Sequence, residues 1–225
     1  MIAGWARAAT PCPPPQVSVS GGTSATTDCP NSTGGGYSTD FLGNENPLSE
    51  GGVWTNVGLD WTKVQKLSGV AQGTLDGNGG YNDSYAHLSG FAANHTAQAT
   101  IHLNSALDGS CSHEVELLLR WADAPHNARG YECNLNFQGG CQIVRWNGAI
   151  GDFTVLGGGS TSIKNGDVLK ASIAGNVITM YLNNSQIARV TDSTFSTGDP
   201  GIGFFRRACG SNADFGFTSF SATSG

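Results

Sequence analysis

From Thr39 onward the chain consists of short segments in which apolar and polar residues alternate. A period of two residues is typical of β-strands, because successive side chains point to opposite faces of a sheet. No segment has a convincing helical period of apolar residues. The predicted strands cover residues 62–67, 70–75, 95–103, 114–121, 131–137, 168–174, 177–182, 186–191, 202–206 and 215–220.

Two of these segments predict which side chains face the protein core. In 114–121 the residues Val115, Leu117, Leu119 and Trp121 alternate with Glu114, Glu116 and Arg120. In 131–137 the apolar set is Tyr131, Cys133, Leu135 and Phe137. The apolar set of each strand is expected to point inward, and the polar set to face water.

Turn residues separate the strands at regular intervals. Gly175-Asn176 is a good two-residue hairpin turn between 168–174 and 177–182. About a dozen short strands with such spacing are typical of a β-sandwich or barrel. We therefore predict an all-β, two-sheet antiparallel jelly-roll sandwich over residues 39–225.

Residues 1–38 differ from the rest of the chain. They are rich in Pro, Gly and Ser and contain only one short alternating pair, Val17 and Val19. Proline favours extended polyproline II, whereas Gly/Ser stretches behave as flexible linkers. We expect an extended N-terminal arm without a core of its own.

Composition excludes several classes of protein. The chain has 17 acidic and 11 basic residues, so its net charge of -6 argues against a nucleic-acid partner. No apolar run reaches the roughly 18 residues of a membrane helix. Gly makes up 33 of 225 residues but has no collagen period.

Six cysteines indicate three disulfides and an oxidising compartment, since none of them has the spacing of a zinc site. Cys133 and Cys141 flank a Gly-Gly turn, which favours a bridge across a hairpin. Cys12 with Cys29 would close a loop in the arm, which leaves Cys111 with Cys209. The number of cysteines alone does not decide the pairing.

Four Asn-x-Ser/Thr sequons, at Asn31, Asn82, Asn94 and Asn183, agree with export from the cell. Asn183 is the best placed, because it follows a predicted strand in an exposed turn. The cysteines and the sequons together predict an extracellular or cell-surface glycoprotein.

The stretch from Asp40 to Phe220 resembles the concanavalin A-like lectin/glucanase superfamily, in particular its laminin-G-like jelly-roll modules. The resemblance lies in Asp40-Phe41, in 51–54, in 166–169 and in 198–203. These motifs specify turns and core positions, so they imply the fold and leave the activity open. Members of the superfamily include lectins, carbohydrate-binding modules, glycosidases, polysaccharide lyases and structural domains.

The glycosidases of this superfamily carry three acids on one strand. Here Glu114 and Glu116 share a face, but Leu118 and Leu119 stand where the third acid would be. We therefore interpret the pair as part of a solvated sheet face and expect no glycosidase activity.

Two non-catalytic sites are predicted. Planar polar groups beside an aromatic ring suit a sugar, and one polar face is expected to hold Glu116, Arg120, Glu132, Asn134, Asn136, Arg145 and Trp146. Oxygen ligands for a structural calcium could come from Asp40, Asn44, Glu45 and Asp214, although such side chains also cap turns. The protein is expected to require no cofactor, and a structural calcium is the one ion that it could bind.

Three functions follow from this sequence. The first is a non-catalytic extracellular structural subunit that binds copies of itself head to tail, with Val17 and Val19 added to a sheet edge, and so forms a filament. The second is a lectin-like carbohydrate-binding module whose partners are glycans. The third is a polysaccharide hydrolase or lyase.

Overall fold

A computed structural model of the protein describes residues 35–78, 80, 83–104 and 111–225, and this part of the chain folds almost entirely into β-strands. It has 15 strands, one short 3-10 turn at Asn212–Asp214 and no α-helix. None of its elements is a helix long and apolar enough to cross a membrane. The strands are β1 Gly36–Thr39, β2 Thr62–Lys63, β3 Gln65–Leu67, β4 Val70–Gln72, β5 Ser84–His87, β6 His95–Leu103, β7 Ser112–Ala124, β8 Asn127–Asn136, β9 Gly140–Gly148, β10 Phe153–Ser160, β11 Val168–Ala174, β12 Val177–Leu182, β13 Ser185–Thr191, β14 Asp199–Arg207 and β15 Phe215–Ser224.

The strands form two sheets. One has eight strands in the order β13-β12-β11-β6-β15-β4-β3, with β1 paired to β15 beside β4. The other has seven strands in the order β10-β9-β8-β7-β14-β5-β2. All pairs are antiparallel except β2 with β5. The predicted two-sheet antiparallel sandwich is confirmed.

Alternating apolar side chains fill the space between the sheets. In the eight-stranded sheet Leu169, Ala171 and Ile173 of β11 point inward, and in the seven-stranded sheet Tyr131 and Cys133 of β8 do so. These side chains are nearly or fully buried, and each large one contributes roughly 1.5–3 kcal/mol by leaving water. The predicted inward set of β8 is confirmed.

The hairpin predicted at Gly175-Asn176 is present with the expected bounds. Ala174 pairs with Val177 across the turn, and Gly175 adopts a positive φ of 59°. Such a conformation costs glycine little because it has no Cβ.

A β-bulge in β7 reverses the predicted faces of two residues. The pairing of β7 with β8 shifts register between Leu119 and Ala122, and Arg120 has a positive φ of 46°. A Cβ on Gly198 would collide with the Arg120 backbone, so only glycine lets β14 begin this close to the bulge. Trp121 therefore leaves the core, and the prediction that it points inward is wrong.

Arg120 turns inward instead and ties one end of the sandwich together. It is 4% exposed. Its guanidinium donates to the carbonyl oxygens of Ala93 (2.8 Å), Phe195 (2.7 Å) and Gly175 (2.7 Å). Ala93 precedes β6 and Gly175 joins β11 to β12, so a residue of one sheet holds loops of the other.

The cysteines confirm one predicted disulfide and contradict another. Cys111 and Cys209 are bonded, across a sequence separation of 98 residues. Cys133 and Cys141 are free, buried thiols. Cys133 pairs with Ile143 and Cys141 with Leu135, so the two cysteines are diagonal neighbours. Diagonal Cα atoms lie about 7–8 Å apart in a sheet, beyond the usual reach of a disulfide.

The boundary of the sandwich lies slightly earlier than predicted. Strand β1 begins at Gly36 and pairs with β15, so residues 36–38 belong to the eight-stranded sheet rather than to the arm. The predicted arm residues Val17 and Val19, the pair Cys12 and Cys29, and Asn31 lie outside the described residues.

Replacing Arg120 by alanine should destabilise the sandwich by about 2–4 kcal/mol, because three carbonyl groups lose a charged donor. Denaturant unfolding at equilibrium measures this loss. Arg189 is exposed and serves as the control; Arg189→Ala should change stability by less than about 0.5 kcal/mol. Equal effects of both variants would contradict the bridging role of Arg120.

The thiols can be mapped by alkylation and peptide mass spectrometry. Burial raises the pKa of Cys133 and Cys141, so neither should react in the folded protein. Both should react after unfolding without a reductant, whereas Cys111 and Cys209 should react only after reduction. Recovery of a Cys133–Cys141 cross-linked peptide would refute this assignment.

Candidate functional site

The face of the seven-stranded sheet that points away from the core, here called the outer face, carries an unusual set of buried polar residues. Leu118, Glu132 and Val144 lie side by side on β7, β8 and β9. The next row holds Glu116, Asn134 and Gln142. Glu116 and Glu132 are therefore diagonal neighbours on adjacent strands.

An aromatic cover shields much of this face from water. Trp61, which immediately precedes β2, is 5% exposed, and its ring centroid lies 4.5 Å from that of Trp146. It also packs at 5.3 Å from Tyr85 and at 5.5 Å from Trp121, the residue that the bulge turns outward. The prediction that Glu116 lies on a solvated face is wrong, because its side chain is fully buried beside Gly203 and two other carboxyl groups.

Three acidic side chains, here called the carboxylate cluster, lie together beside this cover, where Trp146 contacts Glu132. Asp83, Glu116 and Glu132 each offer an oxygen within 4.8 Å of the others. Their exposures are 5%, 0% and 3%. Asp83 directly precedes β5, and Gly203 of β14 makes room for Glu116, because a Cβ at that position would collide with the carboxylate.

The hydrogen bonds within the cluster are unequal. Glu132 accepts from the Asn134 side-chain amide (2.7 Å) and from the indole Nε1 of Trp146 (2.5 Å). Among the residues that the structure describes, neither oxygen of Glu116 has a hydrogen-bond partner, and the Oδ1 of Asn134 has none either. Buried oxygens are nearly always satisfied in folded proteins, so these exceptions require an explanation.

Burial and mutual repulsion raise the pKa of every member. Burial raises the pKa of Glu132 to about 7, the charge of Glu114 adds to this, and the bonds from Trp146 and Asn134 oppose it. Burial, followed by the neighbouring carboxylates, raises the pKa of Glu116 and Asp83 well above the usual range. Burial also raises the pKa of Glu114, which accepts a hydrogen bond from Asn136.

Three ionised carboxylates at this separation are too costly to leave alone. Each pair repels by about 3 kcal/mol at an effective dielectric constant of about 20. Three pairs together approach the whole stability of a typical domain, about 5–15 kcal/mol. Protons or a cation must therefore neutralise part of the charge.

A pocket of about 210 Å³ opens beside the cluster. Asp83, Glu132 and Asn134 form part of its wall, and Glu114 and Gln142 add further polar groups. Phe153 and Arg207 also line the pocket. Phe153 is 36% exposed and Arg207 is exposed. We call this cavity the Phe153 pocket. Glu116 does not line it.

The structure brings together five of the seven residues that the sequence predicts for a sugar site. Glu116, Glu132, Asn134, Asn136 and Trp146 share the outer face, although most of them are buried. Arg120 lies at the junction of the sheets. Arg145 points the other way and forms an ion pair with Asp192 (2.6 Å). The prediction that both arginines belong to this face is wrong.

The sequence analysis missed several residues that line or cover the site: Asp83, Trp61, Gln142, Phe153, Arg207 and Gly203. Strand β10, which carries Phe153, could have been inferred from the alternation in Phe153-Thr154-Val155. Trp61 and Asp83 lie next to short edge strands, and nothing in their local sequence indicates that they meet the outer face.

The residues predicted as calcium ligands make local contacts. Asn44 and Glu45 accept hydrogen bonds from the backbone of Ser68 and Ser49. Asp214 accepts from the Ser211 backbone (2.6 Å), and Asp40 from Leu42 (3.4 Å). These contacts are turn caps, and a structural calcium at these residues stays a prediction.

Two of the predicted glycosylation residues are described and exposed. Asn183 lies in the turn between β12 and β13, as expected, and its amide donates to Asp167 (2.9 Å). The side-chain oxygen of Asn94 accepts from the Gly175 backbone (2.9 Å). Asn82 lies outside the described residues, and attachment of glycans stays a prediction.

No protein-family model matches the chain, and no curated protein matches it in sequence. Solved structures do match. The carbohydrate-binding module CBM66 of Bacillus subtilis is 19% identical with a TM-score of 0.54, over 79% of this chain and 95% of the module. The fold is that of the concanavalin A-like lectins and glucanases.

Two further structures with this concanavalin A-like fold are similar. A chain from the endo-acting O-glycanases of the human gut microbiota is 11% identical with a TM-score of 0.55, over 84% of this chain and 98% of that one. An endo-β-galactosidase of Clostridium perfringens is 10% identical with a TM-score of 0.51, over 88% of this chain and 65% of the enzyme. At these identities the likeness defines the fold alone.

Removing the aromatic cover should destabilise the folded protein. Trp61→Ala should lower the free energy of unfolding by about 3–5 kcal/mol, because a large buried side chain is lost. Leu59, in the same loop, is 67% exposed and gives the control Leu59→Ala, which should cost less than about 0.5 kcal/mol. Denaturant unfolding measures both. A Trp61 variant as stable as the control would show that the loop does not cover the outer face.

Proposed function

We propose that this protein is an extracellular carbohydrate-binding module that binds a glycan in the Phe153 pocket. The observation that carries the proposal is the composition of this pocket: a partly exposed aromatic ring stands beside planar amide and carboxyl groups. Sugars present C–H faces that stack on aromatic rings and hydroxyl groups that need paired polar partners.

The dimensions of the pocket support a small unit of a glycan. Its volume of about 210 Å³ lies below the range for drug-sized ligands, which is roughly 300–1,000 Å³. Phe153 offers its ring, because it contacts Trp146 at a centroid distance of 5.2 Å and still keeps part of its surface in water. Gln142 and Glu114 offer hydrogen-bond partners for hydroxyl groups.

Another depression, of about 290 Å³, is a weaker alternative. Its wall contains Tyr37, Val53, Leu88 and Phe91 together with glycines and serines, and no charged side chain. Hydroxyl groups would find mostly backbone partners there, so its chemistry suits a sugar less well.

The similar structures support a carbohydrate ligand. One is named as a carbohydrate-binding module, and a second module with a TM-score of 0.51, CBM2, belongs to the Dit protein of phage J-1 of Lactobacillus casei. Two others are named for enzymes that act on glycans. The disulfide between Cys111 and Cys209 supports an oxidising, extracellular location.

Glycan hydrolysis is the second candidate. A carboxyl group with a pKa of about 7 suits a general acid, and Glu132 lines the pocket. A retaining mechanism also needs a second carboxylate about 5–5.5 Å away that touches the sugar. Glu116 is fully buried, and Asp83 and Glu114 line the pocket but have raised pKa values, so none of the three offers a readily ionised carboxylate to a substrate.

We do not propose that the protein is a self-associating filament subunit. That function depends on Val17 and Val19, which lie outside the described residues, and no contact among the described residues supports it.

The test is a glycan array, followed by titration calorimetry with each glycan that binds. Phe153→Ala should weaken binding at least about tenfold, because loss of a buried aromatic contact costs about 1.5–3 kcal/mol. Tyr181→Ala removes a ring from the other sheet, where it contacts Lys170, and should leave binding unchanged.

Two results would contradict the proposal. The first is an array without any binding by the folded wild type, and the second is equal loss of affinity in both variants. Reaction mixtures kept from the titration should contain no new reducing ends. If they do, and if Glu132→Gln abolishes them, hydrolysis replaces binding as the function.

A further inference from the structure

We propose that the carboxylate cluster of Asp83, Glu116 and Glu132, with the Oδ1 of Asn134, binds a divalent cation of the calcium class. This site differs from the one that the sequence predicts at Asp40, Asn44, Glu45 and Asp214. The inference does not rest on the proposed sugar binding, since the ion would occupy the wall of the pocket whether or not a glycan enters.

The geometry suits such an ion. Calcium takes oxygen ligands at about 2.3–2.6 Å, so ligands on opposite sides of it lie about 4.6–5.2 Å apart and adjacent ones lie closer. One oxygen from each carboxyl group of the cluster lies within 4.8 Å of the other two. All four side chains offer oxygen, which hard cations prefer over nitrogen or sulfur.

Asn134 provides an observation that is independent of the acids. It is 2% exposed, and its register partner on β7 is Glu116. Its amide nitrogen donates to Glu132, and its oxygen has no hydrogen-bond partner among the described residues. A buried amide oxygen without a hydrogen-bond donor is available as a ligand for a cation.

Glu116 points to an ion rather than to a larger ligand. It is 0% exposed, neither of its oxygens has a hydrogen-bond partner in the described part of the chain, and it does not line the Phe153 pocket. A sugar in that pocket therefore does not contact Glu116. Asp83 and Glu132 do line the pocket, so an ion held by these two acids would also lie next to Glu116.

The competing explanation is that protons alone neutralise the cluster. In that case one carboxyl group would donate a hydrogen bond to another, and no metal would be bound. The two explanations differ in what satisfies the Oδ1 of Asn134, which needs a carboxyl proton in one case and the cation in the other. A calcium titration decides between them.

The experiment uses the full chain after treatment with a chelator and its removal. Terbium is added as a calcium probe, and its luminescence is excited through tryptophan, because the Trp146 indole contacts Glu132. Calcium is then titrated in to displace terbium, and calorimetry gives the calcium affinity without sugar present.

The variants are matched in chemistry. Glu116→Gln keeps the size of the side chain and removes one charged ligand, so calcium affinity should fall at least about tenfold. Asp152→Asn removes one exposed carboxylate in the turn between β9 and β10, outside the cluster, and should change affinity less than about threefold. Asp83→Asn is the second test of the cluster and should also weaken calcium binding. It replaces Glu116→Gln if that variant does not give the wild-type circular dichroism spectrum.

Saturable terbium luminescence that calcium displaces, and that the cluster variants lose, supports the site. Three results overturn it: no saturable luminescence in the folded wild type, luminescence that calcium does not displace, or equal affinity in the folded cluster variants and in Asp152→Asn. None of these readouts uses a glycan, so a failure here leaves the sugar-binding proposal to its own test.

Discussion

One irregularity in the backbone, the bulge at Arg120, decides the character of the outer face. An uninterrupted strand would place Arg120 outside and Trp121 in the core. The bulge exchanges them, so the guanidinium holds loops of the opposite sheet and the indole packs against Trp61. Trp61 in turn covers Trp146 and Tyr85. The same irregularity therefore strengthens the sandwich at one end and closes part of its outer face to water.

Closure from water is what makes the acids chemically unusual. On a wet sheet face, Glu116 and Glu132 would be ordinary ionised side chains with weak mutual repulsion, because water screens exposed charges. In the buried cluster, where water is excluded, holding these two acids close to each other and to Asp83 costs several kcal/mol per added charge. The indole of Trp146 relieves only Glu132. The cover thus contributes apolar packing and, through Trp146, one of the few donors that the cluster has.

Local patterns predicted what depends on near neighbours in the chain. Alternation placed Tyr131 and Cys133 in the core, and Gly175-Asn176 predicted a hairpin whose strands have the observed bounds. The errors concern how strands and loops are set against one another. The face of Trp121 depends on a register shift against β8, and the disulfide between Cys133 and Cys141 fails because their strands set them diagonally. Glu116 is buried although its strand alternates like one with a wet face. Alternation indicates which residues share a face, but it does not show whether another loop covers that face.

The fold leaves binding and hydrolysis open, because similar structures include modules and enzymes. The accessible side chains of the pocket must therefore distinguish binding from hydrolysis. Two protons or one divalent cation leave the same net charge of about minus one on three carboxyl groups, so the wall of the pocket is weakly anionic in either state. Such a wall accepts hydrogen bonds from neutral hydroxyl groups and repels acidic ones, except near Arg207 at the pocket. Glu132 is the member of the cluster that the indole and the amide hold in place. A carboxylate restrained in this way is suited to orienting a sugar hydroxyl, whereas a nucleophile would have to approach the sugar carbon directly.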